Sequence, residues 1–153
     1  MKPQLEKLDR GLVAVKTHDG VYLSWRFLRD EVRGAEKERL TGADYIVLRG
    51  GEVIATVTDS TNYGDPDGTV EAEYAVAAIL DGETLPPCAP VKPWANGYLD
   101  IPLHKPEGGV TPAGKPFEYT ANDLAVGDVD GDGQYELFVK WDPTNSQDVS
   151  IKG

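Results

Sequence analysis

The chain has 153 residues, 40% hydrophobic and 27% charged, a balance that suits a folded globular chain of about one domain. Asp and Glu number 26 against 15 Lys and Arg, giving a formal net charge of −11. That excess argues against a nucleic-acid or anionic-membrane partner, since either calls for a basic face. No apolar run approaches the roughly 18–20 residues that span a bilayer, and MKPQLEKLDRG lacks the apolar core of a signal peptide. Cys88 is the only cysteine, which excludes an intrachain disulfide, and no metal-ligand spacing surrounds it.

In chain order, GLVAVKT (11–17) and VYLSWRFL (21–28) predict two strands joined at the His18–Gly20 turn. RDEVRGAEKER (29–39) is charged and has no apolar stripe, so a long solvated loop is expected. DYIVLRGGEVIATV (44–57) predicts a hairpin turning at Gly50–Gly51. TNYGDPDGT (61–69) reads as turn, and EYAVAAILDGE (73–83) as a strand ending at Asp81–Gly82. Short strands with turns at these intervals predict an all-β sandwich over residues 1–90, with Trp25 in its core and Tyr74 as a core or corner tyrosine.

LPPCAPVKP (85–93) carries four prolines in nine residues and predicts a stiff connector. Residues 91–121 then read as Pro- and Gly-rich linker with one strand, WANGYLDIPL (94–103). NDLAVGDVDG and QYELFVKW predict a strand pair within 122–153, with Trp141 packing inward. The tail from Asp142 shows no strand pattern.

Between those two strands lies DVDGDGQYE. Carboxylates this close repel one another unless a cation neutralises them. A hard cation such as calcium takes six to eight oxygens at about 2.3–2.6 Å. Asp128, Asp130 and Asp132 offer side-chain oxygens, Gln134 a backbone carbonyl and Glu136 a closing carboxylate, so Ca2+ is expected here. An EF-hand is excluded, because its twelfth position falls on Val139 and strands flank the loop. A plain Asp-Gly turn with solvated acids is the bland alternative. With no local base or nucleophile, a structural ion is favoured over a catalytic one.

Several stretches together resemble bacterial rhamnogalacturonan lyases of polysaccharide lyase family 11. They are LEKLDRGLVAVKTHDGVYLSWRFL, YIVLRGGEVI, STNYGDPDGT, EYAVAA and YLDIPLHKPEGGVTPAGKPFEYTANDLAVGDVDGDGQYELFVKWDPTNSQD. The stretch 29–43 departs from the family pattern. The resemblance implies the N-terminal part of such an enzyme, of the rhamnogalacturonan endolyase type. It implies a fibronectin type III-like (immunoglobulin-like) sandwich followed by a calcium-binding β-propeller. It also implies β-elimination on the rhamnogalacturonan I backbone of pectin, and secretion with the signal removed. A blade needs about 40–45 residues and four strands. Residues 122–153 hold two strands, so an incomplete β-propeller is expected, with no catalytic residue present and no lyase activity in the chain alone. Its open strand edges would then invite the remaining propeller or a second copy.

Other candidates carry less. His18 and His104 read as surface histidines, and Lys105, Lys115 and Lys140 as solvated lysines. Trp94 and Tyr98 offer sugar-stacking faces, against the commoner role of aromatic core anchors. A carbohydrate- or protein-binding module with a structural calcium is the alternative function.

Overall fold

The computed structural model describes residues 7–36 and 39–146, and the chain divides into two compact units, 1–100 and 101–153. Among the described residues thirteen strands and one 3-10 turn, Arg29–Glu31, make up the regular structure, and no α-helix occurs. The first unit holds β1 (Val13–Thr17), β2 (Gly20–Ser24), β3 (Gly34–Glu36), β4 (Arg39–Thr41), β5 (Asp44–Arg49), β6 (Glu52–Val57), β7 (Asn62–Asp65), β8 (Tyr74–Leu80) and β9 (Glu83–Thr84).

Two larger antiparallel sheets form, ordered β1-β2-β7 and β6-β5-β8-β9, beside the two-stranded β3-β4 hairpin. Alternation along each strand selects the buried face: Val21 and Leu23 are buried while Tyr22 and Ser24 are exposed, and Tyr45 and Val47 are buried in β5. One core cluster unites Ala14, Val21 and Leu23 of the first sheet and Trp25, just after β2, with Tyr45, Val47, Tyr74 and Val76 of the second. That shared core makes the unit a β-sandwich. Trp25 meets Tyr45 edge-on, with ring centroids 5.4 Å apart.

Four expectations need correction. First, the stretch 29–39 is not a solvated loop. It makes the 3-10 turn and then a hairpin in which β3 pairs with β4. Its Glu31 is buried, held by both Arg10 guanidinium nitrogens, the Leu28 amide at 2.9 Å and the Tyr45 hydroxyl at 3.0 Å. A carboxylate without a hydrophobic stripe gives no sign that it will be taken into a core.

Second, residues 62–65 form β7 rather than turn, because β2 has a second edge to pair. Asp65 there is buried and accepts from Arg49 at 2.8 Å and from the Tyr74 hydroxyl at 2.7 Å.

Third, the proline run is not a free connector. Cys88 donates its N–H to Val76, Val91 exchanges two backbone hydrogen bonds with Tyr74, and Trp94 bridges to β1. The prolines remove donors only at their own positions, and the residues between them keep theirs.

Fourth, 94–103 forms no strand beyond the bridge at Trp94.

The second unit holds β10 (Gly109–Val110), β11 (Pro116–Phe117), β12 (Tyr119–Gly127) and β13 (Glu136–Pro143). β10 pairs with β11, and β12 pairs antiparallel with β13. Strand pairing thus runs to Pro143, past the start of the supposedly patternless tail, whose last residues, 147–153, lie outside the described ones. Trp141 is half-buried, whereas Leu124, Val126, Leu137 and Phe138 are exposed.

Candidate metal centre

The acidic run closes the β12–β13 ribbon. Gly127 faces Glu136 as the last paired positions, and residues 128–135 form the loop between them. Two glycines make the reversal possible: Gly131 has φ 79° and Gly133 φ 94°, both in the left-handed region that a Cβ disfavours.

The loop's own carboxylates hold its backbone. Asp128 accepts from the amides of Gly131 at 2.8 Å and Gly133 at 3.1 Å. Asp130 accepts from Asp132 at 3.1 Å, and Glu136 reaches back across the loop to the Val129 amide at 2.9 Å. Each ionised carboxylate has about four lone-pair sites, so these bonds leave donor capacity for a cation.

Three side chains converge. One oxygen each from Asp128, Asp130 and Glu136 lie within 4.8 Å of one another. Two oxygens on opposite sides of a calcium-sized ion stand about 4.6–5.2 Å apart, so all three fit inside one coordination shell. Asp128 and Glu136 are half-buried and Asp130 is exposed. Asp132 stands outside this group, its carboxylate accepting from the Gln134 amide at 2.8 Å and side chain at 3.4 Å. The structure therefore gathers three of the four expected carboxylates. An all-oxygen set of carboxylates has the chemistry of a hard cation rather than a thiophilic one.

A second polar cluster escaped the sequence reading. The β12–β13 register shifts between Ala121 and Leu124, a bulge that re-aims side chains. Beside it Asn122 donates to Asp142, and Lys140 lies 3.3 Å from Asp142 and 3.7 Å from Asp123. The Asn122 hydrogen bond, reinforced by Lys140, holds the Asp142 carboxyl below its ordinary range. A one-residue register shift leaves no mark in composition, which is why the cluster was not visible.

The remaining candidates are scattered. His18 is fully solvated beside Asp19, and His104 is exposed. Lys105 pairs with Glu118 at 2.9 Å, and Lys115 is exposed. Trp94 is half-buried with its backbone tied to β1, while Tyr98 is 61% exposed.

Residues 3–94 match the rhamnogalacturonan I lyases beta-sheet domain, and residues 98–153 match the rhamnogalacturonan lyase family 11 C-terminal domain. The chain belongs to the rhamnogalacturonan lyases of family 11. It is 46% identical to the rhamnogalacturonan exolyase YesX of Bacillus subtilis over its whole length, and 46% identical to the rhamnogalacturonan endolyase YesW of that organism over 98% of it. The crystal structure of YesW superposes with a TM-score of 0.86, and the rhamnogalacturonan lyase of Bacillus licheniformis with 0.83. The chain spans about a quarter of the length of these lyases, covering 24% of YesX and 23% of YesW. It matches their N-terminal part. Equal identity to an exolyase and an endolyase leaves the family assignment at the level of rhamnogalacturonan lyase.

Proposed function

We propose that this chain forms part of a secreted, calcium-dependent rhamnogalacturonan lyase that cleaves the rhamnogalacturonan I backbone of pectin by β-elimination, endolytically. The tandem match to both lyase-family domains carries this reading. Asp128, Asp130 and Glu136 would hold the calcium, with Asp132 and the Gln134 carbonyl as further donors. A bound calcium supplies positive charge that relieves repulsion among these carboxylates. Its role here is structural: the loop carboxylates hold the backbone that joins β12 to β13.

In this reading the sandwich is fibronectin type III-like and the β12–β13 ribbon opens a propeller blade. A two-stranded ribbon is marginally stable alone. Its exposed Leu124, Val126, Leu137 and Phe138 would pair against further propeller strands or a second copy. A polymeric substrate fits an extracellular setting.

The chain alone is expected to lack activity, since it spans about a quarter of the lyases it matches. Incubation with rhamnogalacturonan I and calcium, followed by ultraviolet absorbance of unsaturated product, tests this. A rise above a chelated control overturns the expected inactivity. A full-length lyase carrying this chain that yields no unsaturated product overturns the lyase assignment. A fast fall in viscosity ahead of small products marks endolytic cleavage.

Exposure of Tyr98 favours a second reading, a sugar-binding module. Oligosaccharide affinity lost in Tyr98→Ala, with the fold intact, would support it.

A further inference from the structure

A groove with a volume of about 350 Å3 opens at one end of the sandwich. Three separate connections build it. Phe27 follows β2, Glu36 comes from the β3–β4 hairpin, Asp44 begins β5, and Thr58, Asp59 and Thr61 lie between β6 and β7. Register explains the convergence: Tyr45 at the start of β5 faces Val57 at the end of β6, and Ser24 at the end of β2 faces Asn62 at the start of β7. Connections at one end of such a sandwich are a common place for recognition.

The lining has a definite chemistry. Carboxylates, threonine hydroxyls and the aromatic rings of Phe27 and Tyr45 meet there, and among the described residues no Lys, Arg or His lines it. Among the described residues none of the ion pairs involves Glu36, Asp44 or Asp59. The three carboxylates also do not converge as metal ligands do; among the described residues the converging group is the Asp128 loop. Spread acceptors beside a ring suit a polyol: sugar hydroxyls donate to carboxylates, and a C–H face packs on an aromatic. An anionic sugar would be repelled by the unpaired carboxylates.

We propose that this groove binds an uncharged sugar unit, with Asp44 and Asp59 accepting hydrogen bonds from its hydroxyls and Phe27 meeting its C–H face. The volume is at the small end of the roughly 300–1,000 Å3 typical of small-molecule sites, which fits a short stretch of sugar chain. The choice of a polysaccharide rests on the lyase reading; the rejection of uronate rests on the described residues of the groove.

Amide-resolved NMR titration of the 153-residue chain tests the proposal, with galactotetraose and arabinotetraose as neutral probes and tetragalacturonate as the anionic one. At least one neutral probe should shift the amides of Asp44, Thr58, Asp59 and Thr61, while tetragalacturonate leaves them in place. Asp44→Ala and Asp59→Ala should each weaken binding about tenfold, the loss of one good hydrogen bond, with the rest of the spectrum retained. The proposal is overturned if neither neutral probe moves these amides, if the uronate moves them equally, or if neither variant weakens binding. Product formation by a full-length lyase is read separately. Binding here without elimination sinks only the lyase reading, and elimination without binding here sinks only the groove.

Discussion

Glu31→Ala removes a carboxylate that four donors have gathered around. The Glu31 side chain is 5% exposed and that of its partner Arg10 11%. Both Arg10 nitrogens, the Leu28 amide and the Tyr45 hydroxyl donate to it. Truncation leaves the Arg10 guanidinium buried without its counter-charge, a change that costs about 3–5 kcal/mol. Domains of this kind are stable by about 5–15 kcal/mol, so the loss is a large fraction of the whole. With a urea slope of about 2 kcal/mol per molar, the unfolding midpoint should fall by about 2 M.

A urea titration followed by near-ultraviolet circular dichroism reads this directly, since Trp25 and Tyr45 sit in the same core. The double variant Arg10→Met/Glu31→Leu should recover most of the loss, because it leaves no charge buried alone.

The pH dependence has a definite sign. Burial alone would raise the Glu31 carboxyl, but Arg10, the Leu28 amide and the Tyr45 hydroxyl together hold it below its ordinary value. A depressed folded value means the contribution is fully present above the unfolded carboxylate pKa of about 4.3. It is lost as pH falls through the lower, folded value. Glu31→Gln should therefore show a shallower acid limb than the wild type. A loss below about 1 kcal/mol in Glu31→Ala, or an unchanged acid limb in Glu31→Gln, would refute the view of this pair as a buried anchor.

Three further outcomes are expected. Terbium added to the chain should give emission sensitised by Tyr135 in the loop and quenched by excess calcium; Asp128→Ala and Glu136→Ala should abolish it and Asp132→Ala should weaken it less, whereas unchanged emission in Asp128→Ala would sink the three-carboxylate site. Tyr74→Phe deletes the hydroxyl that donates to buried Asp65, and calorimetry should show a loss of about 1–3 kcal/mol while Arg49 still holds the carboxylate. Gly20→Ala would set a Cβ 2.0 Å from the Asp65 carbonyl oxygen at φ 124°, whereas Gly50 at φ 59° has open space around it. Thermal melts should then show Gly50→Ala losing about 1–2 kcal/mol and Gly20→Ala failing to fold or losing far more; equal losses would contradict the steric account.

Much of the sandwich was legible because its signals are local. Val21, Leu23, Tyr45 and Val47 alternate with less buried neighbours, and Gly50–Gly51 mark a hairpin turn, so β2, β5 and β6 follow from a period of two. Strand β7 and the backbone pairing along 88–94 were not legible in the same way. They exist because β2, β8 and β1 present unpaired edges to whatever segment the fold brings alongside, and turn-rich or proline-rich residues suffice when the partner backbone is already in place.

The sequence alone determined the carboxylate spacing, the two glycines that reverse the loop and the strands on either side, because all of these lie within one short segment. It also carried the family, through motifs spread along the whole chain. Tertiary structure alone decided which carboxylates meet. It turned Asp132 toward Gln134 and away from the Asp128, Asp130 and Glu136 cluster, drew Glu31 onto Arg10 across twenty-one positions, and assembled the groove from three connections. These are outcomes of register and packing, which couple residues far apart in the chain and so are not recorded in any one stretch of it.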